Sequence, residues 1–428
     1  VGNATTYNNI ALISLGTTIG TYELEFNALG GSTRISFGVD ADGISIYDTV
    51  SVVEVTDDTN LPRINYDNFS YDGSGAIIPN SGCGSWLFEP QSTNLVTESQ
   101  SFIGYSGSNE VVTDNSISSP DGTITGAILA DDNSGGTNIV QIFYNVTVDV
   151  SSDYTLSIFA KKKDLDFIAL RIGGFTTPST DESYFNLNLG TVVSEGSGHT
   201  AKIENYGNGW FRCSVTFTTD VADTSGFLTV RLSENGSSTV VDMDNTSNIY
   251  IWGMQFEKQL YATSYIPTEG TTVTRNQDLC TNGGSATLIS STEGTLYFEG
   301  SALSDDATFK RISIGTSDGN FVNNVGLRYN TNGTSITYQY RAGSVYQAEL
   351  LANINQTDVN KIACVWKVNR FELWVNGVKA AEDTSGSVVS TNTLNSIFYG
   401  KTSTLGEPLY GKTKCLAVWK TALSDTEL

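Results

Sequence analysis

The sequence predicts an all-β protein made of tandem jelly-roll or β-sandwich domains joined by a packed connector. Alternating apolar and polar residues dominate the chain, as in segments 154–160, 227–232 and 371–375. These segments are rich in β-branched and aromatic residues, and clusters of Gly, Asn, Asp and Ser bound them. No stretch longer than about two turns follows the 3.6-residue period of a helix. Short strands with such turns are typical of sandwiches and barrels.

The composition supports folded domains and excludes two classes of partner. The 428 residues are 39% hydrophobic, and 23 basic against 46 acidic side chains give a net charge of −23. Such a charge repels phosphate backbones and anionic lipids, so we expect neither nucleic acid nor a membrane surface as a partner. No apolar run approaches the roughly 18 residues of a membrane-spanning helix.

The strand-like segments divide the chain into four parts. Residues 96–270 and 283–428 each contain enough strands for a complete sandwich. Residues 1–60 resemble the end of the first of these and contain about half the strands that a sandwich needs. We therefore expect them to be the C-terminal part of a jelly roll, completed by upstream residues or by another chain. Residues 61–95 carry aromatic and apolar side chains around a Gly-rich loop, which indicates a packed connector and not a flexible tether.

The five cysteines do not follow a metal-binding or redox spacing. No C-x-x-C motif occurs, so zinc and thioredoxin-like sites have no support. Cys213, Cys364 and Cys415 lie in apolar strand-like segments and are interpreted as small buried residues. A Cys364–Cys415 disulfide would require neighbouring strands, and the sequence leaves this open.

Two groups of motifs resemble parts of tailed-phage virion proteins. The segments LPRINY at 61–66 and WLFEPQSTNL at 86–95 resemble a connector common in large virion proteins of this kind. The segments NGWFR at 208–212, WGMQFE at 252–257 and YATSYIP at 261–267 resemble the accompanying jelly roll, which is similar to carbohydrate-binding modules. These motifs consist mostly of core residues, so they indicate the fold more than a ligand.

The last part of the chain is similar to laminin-G and concanavalin-like lectin domains. The similarity rests on KIACVW at 361–366, LWVNGV at 373–378 and LAVWKTALSDTEL at 416–428. The family pattern usually continues beyond this point. Together with a start at Val1 in place of Met, this leads us to expect a fragment of a longer virion protein.

Carbohydrate binding requires aromatic side chains that stack on sugar rings and planar polar side chains that hydrogen-bond sugar hydroxyls. In a jelly roll an outer sheet face can present both. Alternation along the strands of 96–270 separates an apolar inner side from a polar outer side. Six outer residues are expected to share one solvent-exposed face that binds carbohydrate: Phe159, Lys161, Arg171, Tyr184, Asn186 and Arg231. The alternative is an ordinary solvated face, or one packed on a neighbouring subunit.

The aromatic residues elsewhere are interpreted mainly as structural. Alternation places Ala363 and Val365 on one face of a strand and Cys364 and Trp366 on the other, with both faces apolar enough to be buried. Trp374 precedes an Asn-Gly pair, the strongest hairpin pattern in the chain. Trp210 follows a Gly-Asn-Gly turn and is expected to be structural.

Metal binding and catalysis have weaker support. Asp40 and Asp42, and Asp242 and Asp244, supply hard oxygen ligands on short turns, so a structural calcium is an expectation that competes with plain turn chemistry. No complete calcium loop motif occurs. The single histidine, His199, has no recognisable nucleophile near it in sequence, and no paired-carboxylate motif marks a glycosidase cleft. We therefore expect no enzymatic activity.

The resemblance implies a phage virion surface or fibre protein for adhesion to cell-surface or environmental polysaccharide. Its partners would be glycans and other virion proteins, and it would form a homo-oligomer, a trimer if it is a fibre. Many weak contacts would then act together through avidity. It would lie on the virion surface or be extracellular. The alternatives are a virion spacer or decoration protein without ligand, and a binding appendage of a secreted polysaccharide-degrading enzyme.

Overall fold

The structure, a computed structural model, describes residues 84–402 and 406–428, and the backbone of three short strands before them. All of these residues belong to one compact unit, Asp57–Leu428. Every regular element in this part of the chain is a β-strand, which confirms the predicted all-β class. It contains no helix long and apolar enough to cross a membrane. The expected partial jelly roll at 1–60 lies outside the described residues.

Five short strands precede the first sandwich. They are β1 (Arg63–Asn65), β2 (Phe69–Tyr71), β3 (Ile77–Pro79), β4 (Ser85–Phe88) and β5 (Ser92–Asn94). The first sandwich itself contains fourteen strands among the described residues. They are β6 (Ser106–Ser108), β7 (Glu110–Ile117), β8 (Gly126–Asp131), β9 (Thr137–Ile139), β10 (Gln141–Thr147), β11 (Asp153–Lys162), β12 (Phe167–Gly173), β13 (Asp181–Asn186), β14 (Thr191–Ser194), β15 (Thr200–Gly207), β16 (Trp210–Thr218), β17 (Ser225–Ser233), β18 (Val240–Asp242) and β19 (Asn248–Glu257).

Two six-stranded antiparallel sheets face each other in the first sandwich. Sheet one has the order β14-β13-β12-β17-β10-β6, and sheet two has the order β15-β16-β11-β19-β8-β7. Alternate residues of each strand point into the core between them, as Ile168, Leu170 and Ile172 do from β12. These three side chains are fully buried. The residues between them, including Arg171, therefore face outward from sheet one.

The second sandwich follows the short strand β20 (Val273–Arg275). Its strands are β21 (Glu293–Ala302), β22 (Lys310–Gly315), β23 (Asn324–Tyr329), β24 (Ser335–Ala342), β25 (Val345–Asn353), β26 (Asn360–Lys367), β27 (Arg370–Val375), β28 (Val378–Asp383), β29 (Ser396–Phe398) and β30 (Gly411–Trp419). Sheet three has the order β1-β4-β30-β21-β26-β27-β28, and sheet four has the order β25-β24-β23-β22-β29.

Two predictions from local sequence patterns are confirmed in the second sandwich, a hairpin turn and a strand with two apolar sides. Asn376 and Gly377 both have positive φ angles, 51° and 79°, and form the two-residue turn between β27 and β28. On β26, Trp366 and its same-side neighbours lie in the core between the sheets. Val365 lies on the opposite side of β26, where it packs with Trp374 in a small outer cluster.

The cysteines are free thiols in the described part of the chain. Cys364 and Cys415 do not form a disulfide, because β26 and β30 lie on opposite sides of β21. Cys364 is opposite Leu296, and Cys415 is opposite Glu299. Cys213 and Cys364 are fully buried, and burial raises the pKa of both thiols.

The connector is part of both sandwiches over its described residues. Strand β4 pairs with β30 and extends sheet three. Phe88 from β4 enters the second core, where its ring stacks on that of Tyr399 with 4.1 Å between centroids. Strand β5 pairs with β20, and the amide of Asn94 donates to the carbonyls of Met254 (3.2 Å) and Ile266 (2.9 Å).

A buried carboxylate completes this junction. Glu257, at the end of β19, is 0% exposed. Its oxygens accept hydrogen bonds from the Ser92 hydroxyl (2.5 Å), the Gln255 amide (2.5 Å), and the Thr263 backbone N–H (2.9 Å) and hydroxyl (2.6 Å). Four donors satisfy the acceptor capacity of a carboxylate whose charge would otherwise be costly to bury. Glu257 thereby fixes the connector and the segment after β19 to the first sandwich.

We predict that Phe88→Ala destabilises the second sandwich by about 3–5 kcal/mol, since it removes a buried aromatic ring and leaves a cavity. Chemical denaturation monitored by tryptophan fluorescence checks this. Trp86→Ala is the matched control on the same strand, because Trp86 is 50% exposed. Equal effects of the two substitutions would contradict a core role for the connector.

Glu257→Gln places an amide NH₂ group among four donors, so we expect the free energy of unfolding to fall by about 2–4 kcal/mol. Glu382→Gln, in an exposed ion pair with Lys379, is the control and should change it by less than about 1 kcal/mol. A thermal unfolding midpoint for Glu257→Gln equal to that of the control would show that the carboxylate network does not stabilise the junction.

Candidate functional site

The outer side of sheet one brings cationic and aromatic residues together on neighbouring strands. Arg171 on β12 lies opposite Glu182 on β13 and Thr229 on β17. Two residues before Arg171, on the same side of β12, Ala169 lies between Tyr184 and Arg231. We name this surface the arginine–tyrosine face, and it consists of Arg171, Glu182, Tyr184, Phe227 and Arg231.

Glu182 is the centre of the polar contacts on this face. Its carboxylate accepts a hydrogen bond from the Tyr184 hydroxyl at 2.7 Å and forms an ion pair with the Arg231 guanidinium. The Nε of Arg171 lies 3.8 Å from the same carboxylate. Arg231 also donates through Nε to the side-chain oxygen of Gln141 at 2.7 Å. Two guanidinium groups thus share one carboxylate. These three groups carry a net positive charge, although the net charge of the whole chain is −23.

Burial changes the protonation behaviour of two of these groups. Burial lowers the pKa of the Arg231 guanidinium, and the neighbouring Glu182 carboxylate opposes that change. Burial also raises the pKa of Tyr184, and the hydrogen bond to Glu182 raises it further. The phenol therefore remains a neutral hydrogen-bond donor well above neutral pH.

Phe227 connects this face to an open groove. The Arg171 guanidinium lies 5.5 Å from the centre of the Phe227 ring. The ring covers Gly173 on the adjacent strand, where a Cβ atom would lie only 2.5 Å from it. The groove beside it has a volume of about 640 Å³. Its lining includes Asn145, Thr147 and Thr272. An aromatic ring, a guanidinium and neutral polar groups next to a groove can stack on a sugar ring and hydrogen-bond its hydroxyls.

The expected six-residue face is wrong as a single surface. Arg171, Tyr184, Asn186 and Arg231 lie on sheet one, whereas Phe159 and Lys161 lie on β11 in sheet two. Alternation assigns a residue to a side of its own strand but does not determine which sheet that strand joins. The carbohydrate-binding role of these residues stays a prediction.

Phe159 is covered on the outer side of sheet two. Its ring is 2% exposed and packs against Trp252 and Tyr265 at centroid distances of 5.1 and 5.9 Å. The Arg212 guanidinium lies 5.2 Å from the same ring and donates to the Thr263 carbonyl. The segment after β19 thus covers this part of sheet two and makes it a second, minor core.

Two other predicted residues have structural contacts. The Asn186 side-chain oxygen accepts hydrogen bonds from the backbone N–H groups of Asn188 and Leu189, both at 2.9 Å, and so stabilises the turn after β13. The indole of Trp210 is 2% exposed and donates to the Ser118 carbonyl at 3.1 Å.

Two residues of this face, Glu182 and Phe227, are not among the residues predicted from the sequence. Glu182 lies two residues before Tyr184 on β13, so alternation alone places the Glu182 side chain on the same outer side. Phe227 begins an apolar segment and looks like a core residue. Only the pairing of β17 with β12 shows that it lies beside Arg171.

The structure gives little support to metal binding in the described residues. No group of three His, Cys, Asp or Glu side chains is arranged there to hold a metal ion. The Asp244 carboxylate accepts hydrogen bonds from the backbone N–H and hydroxyl of Thr246, at 3.0 and 2.6 Å. A calcium ion at Asp242 and Asp244 would take its remaining oxygen ligands from backbone carbonyls or water. Asp40 and Asp42 lie outside the described residues, and calcium stays a prediction for both pairs.

His199 contacts a serine, but the pair is enclosed. The Ser183 hydroxyl lies 3.0 Å from Nδ1 of His199 and also accepts a hydrogen bond from the backbone N–H of Gly196. Ser183 is fully buried, and burial lowers the pKa of His199. A nucleophile needs access to its substrate, so this arrangement is structural.

Residues 281–428 match the family model of the concanavalin A-like lectin/glucanases superfamily. This match covers the second sandwich, which therefore has a laminin-G/concanavalin-like lectin fold. The chain has no match among curated proteins.

Several solved structures show a weak likeness. The CBM40 of the Ruminococcus gnavus IT-sialidase bound to α2,3-sialyllactose is 20% identical, with a TM-score of 0.28, over 32% of this chain and 80% of that chain. A heptameric SAP-like pentraxin from Limulus polyphemus is 14% identical, with a TM-score of 0.29, over 34% and 71%. Domains LG4-5 of the mouse laminin α1 chain are 10% identical, with a TM-score of 0.23, over 64% and 85%. These scores are too low to carry a functional inference.

We predict that Glu182→Gln lowers the free energy of unfolding by about 1–3 kcal/mol, because the largely buried Arg231 loses its compensating charge. Urea denaturation checks this against Glu204→Gln, which removes an exposed ion pair with Lys202 on sheet two. An unchanged unfolding midpoint for Glu182→Gln would mean that the shared carboxylate does not organise the face.

Proposed function

We propose that this chain is a non-enzymatic adhesion segment of a tailed-phage virion surface or fibre protein. It binds cell-surface or environmental polysaccharide through the arginine–tyrosine face. The observation that carries the proposal is the Arg171 guanidinium beside the ring of Phe227, which lines an open groove, with Tyr184 on the same outer face of an otherwise acidic protein. The lectin-type fold of residues 281–428 supports a carbohydrate ligand, and the motifs of the connector and jelly roll support the virion assignment.

The charge distribution on this face favours a neutral or weakly acidic polysaccharide. Arg231 is engaged by Glu182 and Gln141, whereas the side chain of Arg171 is 27% exposed and its Nε lies beyond hydrogen-bond distance of Glu182. Arg171 is thus the guanidinium that can reach a sugar hydroxyl or carboxyl group. Phe227 offers the apolar surface on which a sugar ring stacks.

Weak single-site binding suits display in several copies. Each contact of a sugar with one guanidinium and one ring is modest, and avidity in a homo-oligomer multiplies it. We propose a trimer if the protein is a fibre, with the virion surface or extracellular space as its location and other virion proteins as partners.

A spacer or decoration role without ligand is the second candidate. It is favoured by one specific observation: Glu182 already satisfies Tyr184 and Arg231 within the chain. A face that is complete by itself needs no ligand. Binding measurements on the arginine–tyrosine face distinguish the two candidates.

We expect the full 428-residue chain to bind a subset of glycans on an array at high density, with calcium present. Arg171→Gln should weaken that binding at least about tenfold, since a hydrogen bond from a charged group contributes roughly 1.5–3 kcal/mol. Lys202→Gln removes the same charge from sheet two and should leave binding unchanged. Isothermal titration with the best array ligand measures both.

Two results would change this assignment. A loss of binding in Lys161→Gln but not in Arg171→Gln would move the site to sheet two. No binding to any glycan by the folded chain would favour the spacer role.

A further inference from the structure

The outer side of sheet four carries a cluster of cations that the arginine–tyrosine face does not explain. Arg311 on β22 lies directly opposite Arg328 on β23, and Arg341 on β24 lies opposite Asn324 of β23. Like charges placed directly opposite each other on neighbouring strands are destabilising. Three arginines on three adjacent strands are unexpected in a chain with only 23 basic residues.

An aromatic ring gathers three of the cations. The guanidinium groups of Arg311 and Arg341 lie 5.2 and 4.9 Å from the centre of the Phe321 ring, and the Lys401 ammonium lies 4.9 Å from it. Arg341 also lies 5.4 Å from the centre of the Tyr346 ring. We name this surface the cationic face. Cation–π contacts hold these charged groups at fixed positions without neutralising them.

Carboxylates within the chain neutralise this face only in part. Glu407 accepts a hydrogen bond from Arg311 Nε at 2.8 Å and lies 3.5 Å from the Lys401 ammonium. Glu349 on β25 accepts a hydrogen bond from the Gln339 amide at 2.6 Å. Within the described part of the chain, neither Arg328 nor Arg341 forms an ion pair with a carboxylate. The Nε of Arg341 is buried and has no hydrogen-bond partner there. A buried donor of this kind requires a partner, which an oxyanion or an ordered water would supply.

The face is rigid at its centre and open at its edge. Arg311 is 1% exposed and lies over Gly326, where a Cβ atom would be 2.6 Å from Nη1. Burial lowers the pKa of Arg311. The negative charge of Glu407 raises this pKa, and the positive charge of Arg328 lowers it further. Tyr346 is 44% exposed, and the Arg328 guanidinium stacks 4.4 Å from the ring of Phe309, which is 39% exposed. A ligand can therefore reach the arginines from solvent beside aromatic surface.

We propose that the cationic face is a second binding site, which takes an acidic polysaccharide through its carboxylate or sulfate groups. Arg328 and Arg341 each bind an oxyanion of the polymer, because a guanidinium can donate two parallel hydrogen bonds to such a group. Tyr346 packs against the sugar ring. The site rests on the proposed function only in taking a polysaccharide as its ligand, and it uses a different sandwich.

The experiment compares the binding of the full chain to three polymers at about 50 and 200 mM salt. Polygalacturonate presents carboxylates, dextran sulfate presents sulfates, and dextran is neutral. We expect an acidic polymer to bind in spite of the −23 charge of the chain. The double variant Arg328→Gln/Arg341→Gln should bind it at least tenfold more weakly. Lys367→Gln, which removes one exposed charge from sheet three of the same sandwich, is the control and should bind as the unmodified chain does.

Each outcome has a defined meaning. Binding of polygalacturonate alone identifies carboxylate as the ligand group, and binding of dextran sulfate alone identifies sulfate. Failure to bind either acidic polymer, binding that is equal for dextran, or a double variant that binds as the unmodified chain does would overturn the proposal.

Two further variants keep the test decisive if the double variant unfolds. Arg341→Lys retains the charge but not the planar fork and should weaken binding several-fold, and Tyr346→Ala should weaken it without removing a charge. Unchanged binding in both would overturn the site. The loss of binding caused by Arg328→Gln/Arg341→Gln should be equally large in an Arg171→Gln background, so failure of the cationic face and failure of the arginine–tyrosine face remain distinguishable.

Discussion

The buried carboxylate of Glu257 is the constraint that attaches the connector, and the segment after β19, to the first sandwich. It is held by donors from the connector, from β19 and from the segment that follows β19. Glu89 extends the same junction, since its backbone N–H donates to Asp278 at 2.7 Å and its carboxylate accepts the N–H of Ser264 at 2.8 Å. Charged groups enclosed in this way must keep their partners, so the chain segments that supply them cannot separate without a large loss of stability.

Both candidate sites lie on outer sheet faces. The inner faces form the two cores, and the segment after β19 covers the aromatic side of sheet two around Phe159. Sheets one and four keep outer surfaces on which arginines meet aromatic rings. Both surfaces concentrate positive charge in a strongly acidic protein, but they differ in compensation. On sheet one Glu182 lies beside both arginines, whereas on sheet four Glu407 pairs with Arg311, and neither Arg328 nor Arg341 has a carboxylate partner among the described residues.

The sequence was sufficient for features that depend on neighbouring residues. Alternation predicted the all-β class and the two apolar sides of the strand that carries Trp366, and the Asn-Gly pair predicted the hairpin after Trp374. It was not sufficient for features that depend on distant pairing. Nothing local indicates that Phe159 and Arg171 belong to different sheets. The polar residues that surround Glu257 look like ordinary turn residues until the fold brings together positions 92, 257 and 263.

The strand that the connector contributes to sheet three has a consequence for how this lectin-type domain can be exchanged between proteins. The family match begins at residue 281, but a ring that fills the second core belongs to Phe88. A recombination event at residue 281 would transfer the sandwich without β4 and would leave the edge of β30 unpaired. Exposed edges of this kind promote aggregation. The segment that must be exchanged as a whole is therefore longer than residues 281–428. It includes the first sandwich, because that sandwich lies in sequence between β4 and β30.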